Sequence, residues 1–360
     1  MDKILSLMVA SHLDMKFSIK SKFNYYDVKF IVNIENTLNP LIKKNNNFFI
    51  IDSFVYKKYL SKLKFNKNKL IIVKAGEDKK ELSNIKKIIL DLLKKKINRK
   101  SFIISIGGGV IQDISAFISS ILFRGIKWIY FPTTLISQGD SCIGSKTSVN
   151  INKFKNQLGN FYPPQKIYIA NSFLASLNYK DYYSGLGEIS HILALGNKKS
   201  FFSIKKYFND RKKIFNLILS SLMMKKKIIE QDEFETNKRE LLAFGHSVGH
   251  AIEGSTNFKI KHGISVAYGM DAAFYISYKL KFLSYKKYTE LSEPLKTIIK
   301  VQKYNLNINK FIKCLLKDKK IYKEKFLDII LSKGCGKMFL RSIKIDKNFR
   351  SIIIDWKNQI

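Results

Sequence analysis

The feature that most constrains the fold is an alternation of short apolar runs with amphipathic segments in the first half of the chain. Residues 48–52, 70–73, 102–106 and 128–131 are short, mainly apolar runs of strand length. Such runs are typical of strands buried on both faces of a parallel sheet. Between the second and third runs, leucines and isoleucines recur at helical spacing over residues 82–93, which predicts a crossover helix. This order predicts a parallel α/β sheet with ligand sites at the carboxyl ends of its strands.

The pattern changes after about residue 172, where long amphipathic segments replace most of the strand signals. Helices are predicted in the segments 183–195, 212–231, 240–253, 265–284 and 308–317. We therefore expect a Rossmann-like α/β domain over residues 1–172 and a mostly α-helical domain over residues 173–360. A site formed between two such domains is the default expectation.

The charge of the chain is strongly positive, with 65 Lys and Arg against 28 Asp and Glu and a formal net charge of +37. The excess is almost all lysine and is spread along the whole sequence, whereas only six residues are arginine. A dedicated nucleic-acid surface would use more arginine to recognise bases and phosphates. We expect no specific nucleic-acid partner, and interpret the charge as long-range attraction for anions.

The cellular compartment is constrained by the cysteines and the apolar runs. Cys142, Cys314 and Cys335 are far apart and form no CxxC pair, which supports neither a disulfide framework nor a cysteine zinc site. No apolar run is long enough for a transmembrane helix. The first residues lack the basic region of a signal peptide. We therefore expect a cytoplasmic protein without a membrane partner.

A glycine-rich turn, GGGVIQD at residues 107–113, follows the third apolar run directly. Glycines at this point let the backbone come close to a ligand, and the next helix offers free N–H groups to a diphosphate. The spacing is not GxGxxG, so the ordinary dinucleotide fingerprint is absent. A tight structural turn remains the alternative interpretation.

Polar residues are dense just beyond the fourth apolar run, in the segment 132–156. This density after a strand usually lines a site. The residues concerned are Thr133, Thr134, Asp140, Lys146, Lys155 and Asn156.

Four of the five histidines fall in two short segments of the second half. Glu188 and His191 are three residues apart, and His246 and His250 are four apart, so each pair shares a helical face. His262 stands at the predicted start of another helix. Carboxylate and imidazole ligands without thiols suit Zn²⁺ in a catalytic site with an open position, and Co²⁺ is an alternative. A di-iron bundle would need a second ExxH motif, which the sequence lacks.

Taken together, these motifs resemble the 3-dehydroquinate synthase family of sugar phosphate cyclases. The resemblance runs from about residue 75 to residue 336 and rests on GGGVIQD, FRG, FPTTL, GSKT, KNQLGNFYPP, GLGE and FGHSVGHAIE in this order. It implies an enzyme dependent on NAD and zinc that oxidises a substrate hydroxyl transiently and eliminates phosphate. The ketone is then reduced again, and the opened sugar closes by an intramolecular aldol step.

The expected substrate is 3-deoxy-arabino-heptulosonate 7-phosphate of the shikimate pathway, which the family converts to 3-dehydroquinate. A related cyclase acting on another sugar phosphate, such as sedoheptulose 7-phosphate, is the first alternative. A metal-dependent alcohol or polyol dehydrogenase with net NADH formation is a more remote one.

The resemblance also assigns roles to single residues. It makes Glu188, His246 and His262 the metal ligands, although spacing alone would pair His246 with His250. His250 becomes a residue of the phosphate and proton-transfer region. Glu253 either supports a metal ligand or is simply a surface acid. The positions resembling NAD contacts are Asp52, Glu77, Lys80, Gly107, Gly108, Gly109, Val110, Asp113, Thr133, Thr134, Lys146 and Lys155.

A further set of positions resembles the family's substrate site, namely Asp140, Lys146, Asn156, Lys225 and Arg239. Arg124 resembles an arginine that the family supplies from the neighbouring subunit, which implies a homodimer. Either Lys319 or Lys320 is expected to close the site.

The chain departs from the family pattern at two positions near the substrate's carboxylate. His191 stands where the family usually has lysine, and Ala243 where it usually has asparagine. Histidine is mostly neutral at pH 7, and alanine forms no side-chain hydrogen bond. Because of these two changes, the resemblance does not determine which sugar phosphate is the substrate. Gln112 and Ser145, at positions often occupied by glycine, are expected to be tolerated.

Overall fold

The structure is a computed structural model that describes residues 15–152, 154–210, 214–236, 238–316, 321–322 and 326–360. The chain divides into two units, Met1–Leu177 and Asn178–Ile360. No helix within the described ranges is long and apolar enough to cross a membrane.

The first unit is built on a seven-stranded sheet of order β1-β2-β9-β6-β5-β3-β4. All of its pairings are parallel except β1 with β2. The strands are β1 (Lys16–Lys20), β2 (Tyr25–Phe30), β3 (Asn47–Asp52), β4 (Leu70–Val73), β5 (Phe102–Gly107), β6 (Lys127–Pro132) and β9 (Lys166–Ile169). The predicted parallel sheet is confirmed, and its four predicted strands are β3, β4, β5 and β6, of which β4 lies at the edge of the sheet.

Apolar side chains explain why β3, β5 and β6 lie inside the sheet. Every residue of β3 is buried, and Ile51, Ile104 and Phe131 of neighbouring strands share one core. The predicted crossover helix is confirmed as α2 (Leu82–Lys94), which buries Ile85 and Leu92. The other helices of this unit are α1 (Ile34–Ile42) and α3 (Gly109–Ile121), with a β7–β8 hairpin at Val149–Ile151 and Phe154–Leu158.

The second unit is mainly helical, as expected. Its helices are α4 (Tyr179–Ala194), α5 (Ile214–Ile229), α6 (His246–Ser255), α7 (His262–Lys279), α8 (Tyr285–Ile299), α9 (Ile308–Leu315) and α10 (Lys347–Lys357). Helix α7 is buried over most of its length and packs against α4, α6 and α8. A helix that is apolar all round belongs in a core, and this one is the core of the unit.

Two predictions for the second unit are wrong in detail. The helix expected at 240–253 begins only at His246, because Gly245 takes a left-handed φ of 83° and a short 3₁₀ segment, Lys238–Ala243, precedes it. An antiparallel pair, β11 (Phe326–Ser332) and β12 (Met338–Lys344), was missed, and β10 (Ile321–Tyr322) extends it. The apolar stretch in β11 is too short for its length alone to distinguish strand from helix.

A buried carboxyl group ties three helices of this unit together. Asp271 of α7 is fully buried and accepts hydrogen bonds from Trp356 Nε1 of α10, at 2.7 Å, and from the Ser292 hydroxyl of α8. Burial raises the pKa of Asp271, although the two hydrogen bonds oppose this effect.

Candidate functional site

Carboxylate and imidazole groups from three helices of the second unit converge on Glu188, whose side chain is 2% exposed. Its Oε1 atom lies 3.0 Å from His262 Nε2, and its Oε2 atom lies 3.9 Å from His246 Nε2. The Oε2 atom is also 3.1 Å from His191 Nδ1. The three predicted metal ligands are therefore close together, and His191 lies with them.

Glycines let the three helices approach closely enough to form this cluster. A Cβ atom on Gly263, the second residue of α7, would lie 1.8 Å from the carbonyl oxygen of Ser184 in α4. A Cβ atom on Gly187 would lie 2.0 Å from the carbonyl oxygen of Gly263. The backbones of α4 and α7 are thus in direct contact beside Glu188 and His262.

Hydrogen bonds fix which ring nitrogen of two histidines faces Glu188. The Nδ1 atom of His262 lies 3.1 Å from Glu253 Oε2, and that of His246 lies 3.3 Å from the Phe244 carbonyl oxygen. Carboxylate and carbonyl oxygens only accept, so Nδ1 carries the proton in both rings. The Nε2 atoms are left for a metal, which is the usual arrangement of metal-binding histidines. Glu253 therefore orients the ring of His262 and is not simply a surface acid.

The cluster leaves two buried polar atoms without hydrogen-bond partners among the described residues, Glu188 Oε1 and His191 Nδ1. Their short contacts lack the alignment of hydrogen bonds, and such atoms are costly in a protein interior. Ligand atoms on one tetrahedral zinc ion are about 3.3 Å apart, similar to the separations around Glu188. The donor set therefore fits a divalent metal.

Two sets of three possible ligands lie in the cluster, each with its donor atoms within 4.8 Å of one another. One set is Glu188, His191 and His246, and the other is His250, Glu253 and His262. His250 is exposed, and its ring stacks on that of His262 with centroids 5.7 Å apart.

The charges in the cluster depend on the balance of burial and ion pairing. Burial opposes ionisation of Glu188, but the charge of His262 and the contacts with the other histidines hold its pKa well below the ordinary value. Burial also opposes protonation of His262, but Glu188 and Glu253 raise its pKa well above normal. Burial lowers the pKa of His246 well below normal, with Glu188 only partly opposing it. A metal would therefore displace a proton from His262 and find His246 already neutral.

In the first unit, the predicted glycine turn joins β5 to α3. Gly108 is the N-cap of the helix and, because it has no side chain, forms no capping hydrogen bond with the first N–H groups, which are unpaired within the helix. A Cβ atom on Gly108 would lie 2.8 Å from Thr134 Cγ2, whereas one on Gly109 would meet no protein atom within 4 Å. The open space over Gly109 and the free N–H groups form a cradle that fits a dinucleotide diphosphate. Val110 lies in the first turn of the helix.

A buried lysine, Lys80, connects the glycine helix with the β7–β8 hairpin. Its Nζ atom lies 2.8 Å from Asp113 Oδ2 and donates a 2.6 Å hydrogen bond to Asn156 Oδ1. The Oε1 atom of Glu77 is 3.7 Å away. Burial raises the pKa of Asp113, with Lys80 opposing the shift. Four residues that the resemblance singled out thus lie in one polar network.

Asn150, to which the sequence analysis assigned no role, completes this network. Its amide nitrogen donates to Glu77 Oε1 at 2.9 Å, and its Oδ1 atom accepts from the backbone N–H of Asn156 at 2.9 Å. Asn156 has a left-handed φ of 52°. Asn150 therefore helps to hold the strained backbone that presents the Asn156 side chain.

Gln112 makes a second link that the sequence did not predict. Its Nε2 atom donates to the Ser141 carbonyl oxygen at 2.6 Å, and the Ser141 hydroxyl donates to its Oε1 atom at 2.8 Å. Ser141 follows Asp140 directly, in the π-helical turn Ser137–Ser141. A residue interpreted only as tolerated thus joins α3 to the segment that carries Asp140.

Several other predicted residues have structural contacts. Asp52 Oδ1 accepts hydrogen bonds from the N–H groups of Phe54 and Val55, at 2.9 and 3.0 Å, and so caps a short helix after β3. The N–H of Thr133 donates to the Gly107 carbonyl oxygen at 3.0 Å. Thr134 bonds to Ser137 at the start of the turn that carries Asp140.

The predicted cations differ in exposure. Lys146, Lys155 and Arg124 are exposed, and Arg124 has a left-handed φ of 66°. Lys225 of α5 and Arg239 are buried.

Arg239 is held by its own segment. Its guanidinium donates to the Glu233 carbonyl oxygen, and its backbone N–H donates to Asp232 Oδ2. Ala243 ends the 3₁₀ segment before Gly245. Lys319 and Lys320 lie outside the described residues.

Comparisons with known proteins place these sites in a wider context. The family description "3-dehydroquinate synthase N-terminal" matches residues 70–184, and "3-dehydroquinate synthase C-terminal" matches residues 185–321. A 3-dehydroquinate synthase of Dictyoglomus turgidum is 36% identical over 314 residues, 84% of this chain and 88% of the relative.

Solved structures with the same fold include sugar cyclases. A 2-deoxy-scyllo-inosose synthase complexed with carbaglucose-6-phosphate, NAD⁺ and Co²⁺ has a TM-score of 0.82 at 22% identity, over 96% of this chain and 100% of that one. A 2-epi-5-epi-valiolone synthase from Streptomyces hygroscopicus with NAD⁺ and Zn²⁺ bound has a TM-score of 0.80 at 19% identity, over 93% and 97%.

Proposed function

Because the chain belongs to the 3-dehydroquinate synthase family, we propose that it converts 3-deoxy-arabino-heptulosonate 7-phosphate into 3-dehydroquinate and phosphate. The observation that carries this proposal is the convergence of Glu188, His246 and His262 within the range matched by the family. The enzyme is a carbon–oxygen lyase that uses NAD and a divalent metal.

The metal is held by Glu188, His246 and His262. Support comes from the Nε2 atoms of both histidines, which face the Glu188 carboxylate, and from Glu253, which accepts from His262. Zn²⁺ and Co²⁺ are the ions named with the two cyclase structures of the same fold.

NAD is held by the first unit, with its diphosphate over Gly108 and Gly109 at the start of α3. Lys80, Asp113 and Glu77 lie in one polar network next to this turn, so they position each other as well as the cofactor. Thr133 and Thr134 follow β6, which is hydrogen-bonded to β5, and extend the same edge of the sheet.

When bound, NAD takes up and returns a hydride, and the metal polarises the oxygen atoms at the reacting carbon. The chain itself supplies charge and proton transfer. Lys225 and Arg239 hold the substrate carboxylate, and Asp140, Lys146 and Asn156 orient its hydroxyl groups. His250 is exposed and adjacent to His262, which suits a group that moves a proton near the leaving phosphate.

A second copy of the chain completes the site in this proposal. Arg124 is exposed on a left-handed turn, between Phe123 and Gly125, and is therefore accessible to a second copy of the chain. In this proposal the chain is a cytoplasmic homodimer in which Arg124 reaches the neighbouring site. That role explains why an arginine occupies this position in a chain whose cations are mostly lysine.

A second candidate substrate, sedoheptulose 7-phosphate, is favoured by one observation. His191 contacts Glu188 at 3.1 Å, so it does not provide the separate cation that a lysine would offer to a substrate carboxylate. Ala243, at the end of the 3₁₀ segment before α6, lacks the polar side chain that the family pattern has at this position. Both changes would suit a sugar phosphate without a carboxylate.

The experiment that tests the proposal incubates the protein, NAD and Zn²⁺ with each sugar phosphate separately. Phosphate release and cyclic product are measured, and omission of NAD or addition of a chelator serves as the control. We expect turnover of the heptulosonate. Turnover of sedoheptulose 7-phosphate alone would reject the first substrate, and net NADH formation from either would indicate a polyol dehydrogenase.

A further inference from the structure

His191 differs from His246 and His262 in how its Nδ1 atom is placed. The Nδ1 atoms of His246 and His262 face acceptors of their own, at the Phe244 carbonyl and at Glu253. The Nδ1 atom of His191 is buried and instead points at the Glu188 carboxylate, 3.1 Å from Oε2. It has no hydrogen-bond partner among the residues that the structure describes.

We propose that His191 is itself a ligand of the metal, so that the ion takes four donors from this chain: Glu188, His191, His246 and His262. The inference rests on the proposed function, in which a metal occupies this cluster. The inference goes beyond the proposed function because it raises the number of protein ligands from three to four.

Convergence of the donor atoms carries the inference. A nitrogen of His191, a nitrogen of His246 and an oxygen of Glu188 all lie within 4.8 Å of one another. The rings of His191 and His246 meet edge to face, with centroids 4.9 Å apart. The nitrogen atoms of His191 and His246 can therefore approach one ion that is also bound by the Glu188 carboxylate.

The rigidity of α4 supports direct binding. Every residue of the helix from Tyr182 to Ala194 is buried, and Glu188 and His191 share one of its faces. Side chains held in this way lose little further freedom when they bind a metal. A purely structural histidine would align its N–H with Glu188, whereas the 3.1 Å contact lacks hydrogen-bond alignment.

Four protein donors change what the ion can do. A tetrahedral ion with four protein ligands has no open position for substrate. An ion that also contacts substrate in this cluster must therefore take five or more ligands, which Co²⁺ and Fe²⁺ accept and Zn²⁺ reaches by expansion.

The test is a titration of the full-length, metal-free protein with Co²⁺, followed by its visible spectrum and by competition with a chelator. His191→Gln keeps an N–H donor for Glu188 but removes the imidazole, and His191→Ala removes both. His250→Ala is the matched control, because it deletes an imidazole of the same cluster that is not a ligand in this proposal.

In the wild type we expect the weak visible bands of five- or six-coordinate Co²⁺. Both His191 variants should show a changed spectrum and bind Co²⁺ about 10- to 100-fold more weakly, and His250→Ala should match the wild type. Restoration of spectrum and affinity by His191→Gln would overturn the inference in favour of a hydrogen-bonding role. Equal losses in His250→Ala would overturn it too. No Co²⁺ uptake by the wild type would instead contradict the metal of the proposed function.

Discussion

The contact between α4 and α7 provides the sharpest test of how this chain builds its metal cluster. In a Gly263→Ala variant the new Cβ atom would lie 1.8 Å from the Ser184 carbonyl oxygen, 2.7 Å from the Ser184 carbonyl carbon and 3.1 Å from the Glu188 nitrogen. These are backbone atoms, so no side chain can move aside. Real Cβ atoms almost never approach closer than 3.0 Å, so the helices must separate by about 1.2 Å or more.

Such a shift would remove His262 from the metal. The His262 Nε2 atom now lies 3.0 Å from Glu188 Oε1, and a separation of the helices would take it to about 4.2 Å. Two ligand atoms on one zinc ion are at most about 4.2 Å apart, twice the zinc–nitrogen distance. We expect metal affinity to fall by about 100-fold or more, and the free energy of unfolding to fall by about 1–3 kcal/mol.

Metal affinity would be measured by chelator competition, and stability by urea unfolding of the metal-free protein. Gly109→Ala is the matched control, because a Cβ atom there meets no protein atom within 4 Å. Its metal affinity and stability should equal those of the wild type. Wild-type affinity in Gly263→Ala would refute the argument that close backbone contact positions His262.

Three further predictions concern other parts of the chain. Gly109→Ala should weaken NAD binding, measured by fluorescence titration, because the methyl group enters the open space over the start of the helix. An unchanged Kd would contradict the placement of the NAD diphosphate over Gly109. Gln112→Ala should lower the free energy of unfolding by about 1–3 kcal/mol because it removes both hydrogen bonds, whereas Ser141→Ala should lower it by less because it removes only the bond of the Ser141 hydroxyl; equal stability of all three proteins would count against this link. The raised pKa of Asp271 means that this carboxyl group stays protonated up to a higher pH in the folded state than in the unfolded state. The stability of the wild type relative to Asp271→Asn should therefore fall as the pH rises from about 4 through the raised pKa. Parallel pH profiles in urea unfolding would contradict this.

The parts of the fold that the sequence predicts are those governed by local pattern. The four apolar runs became β3, β4, β5 and β6. Three of these strands, β3, β5 and β6, lie inside the sheet, where a strand buried on both faces needs mainly apolar side chains. The outer strands β1 and β2 mix lysine and tyrosine with alternating burial, so their pattern was too weak to identify.

The candidate site was predictable in composition but not in geometry. Motifs identified Glu188, His246 and His262, and the structure places them together. The contact of His191 with Glu188 depends on the packing and rotamers of a buried helix, which residue spacing alone does not specify. The bonds of Gln112 with Ser141 and of Asn150 with Glu77 join residues 29 and 73 positions apart, and no local pattern reports such pairs.

Whether the chain is a cyclase that returns its hydride to the substrate can be tested by following phosphate and NADH in the same reaction. The metal-loaded protein would be mixed with NAD and 3-deoxy-arabino-heptulosonate 7-phosphate, with phosphate release and NADH absorbance recorded together. Because the hydride is returned within each cycle, we expect phosphate to accumulate over many turnovers while NADH stays far below the phosphate released. NADH rising in step with product, or no phosphate release with NAD and metal present, would contradict the account.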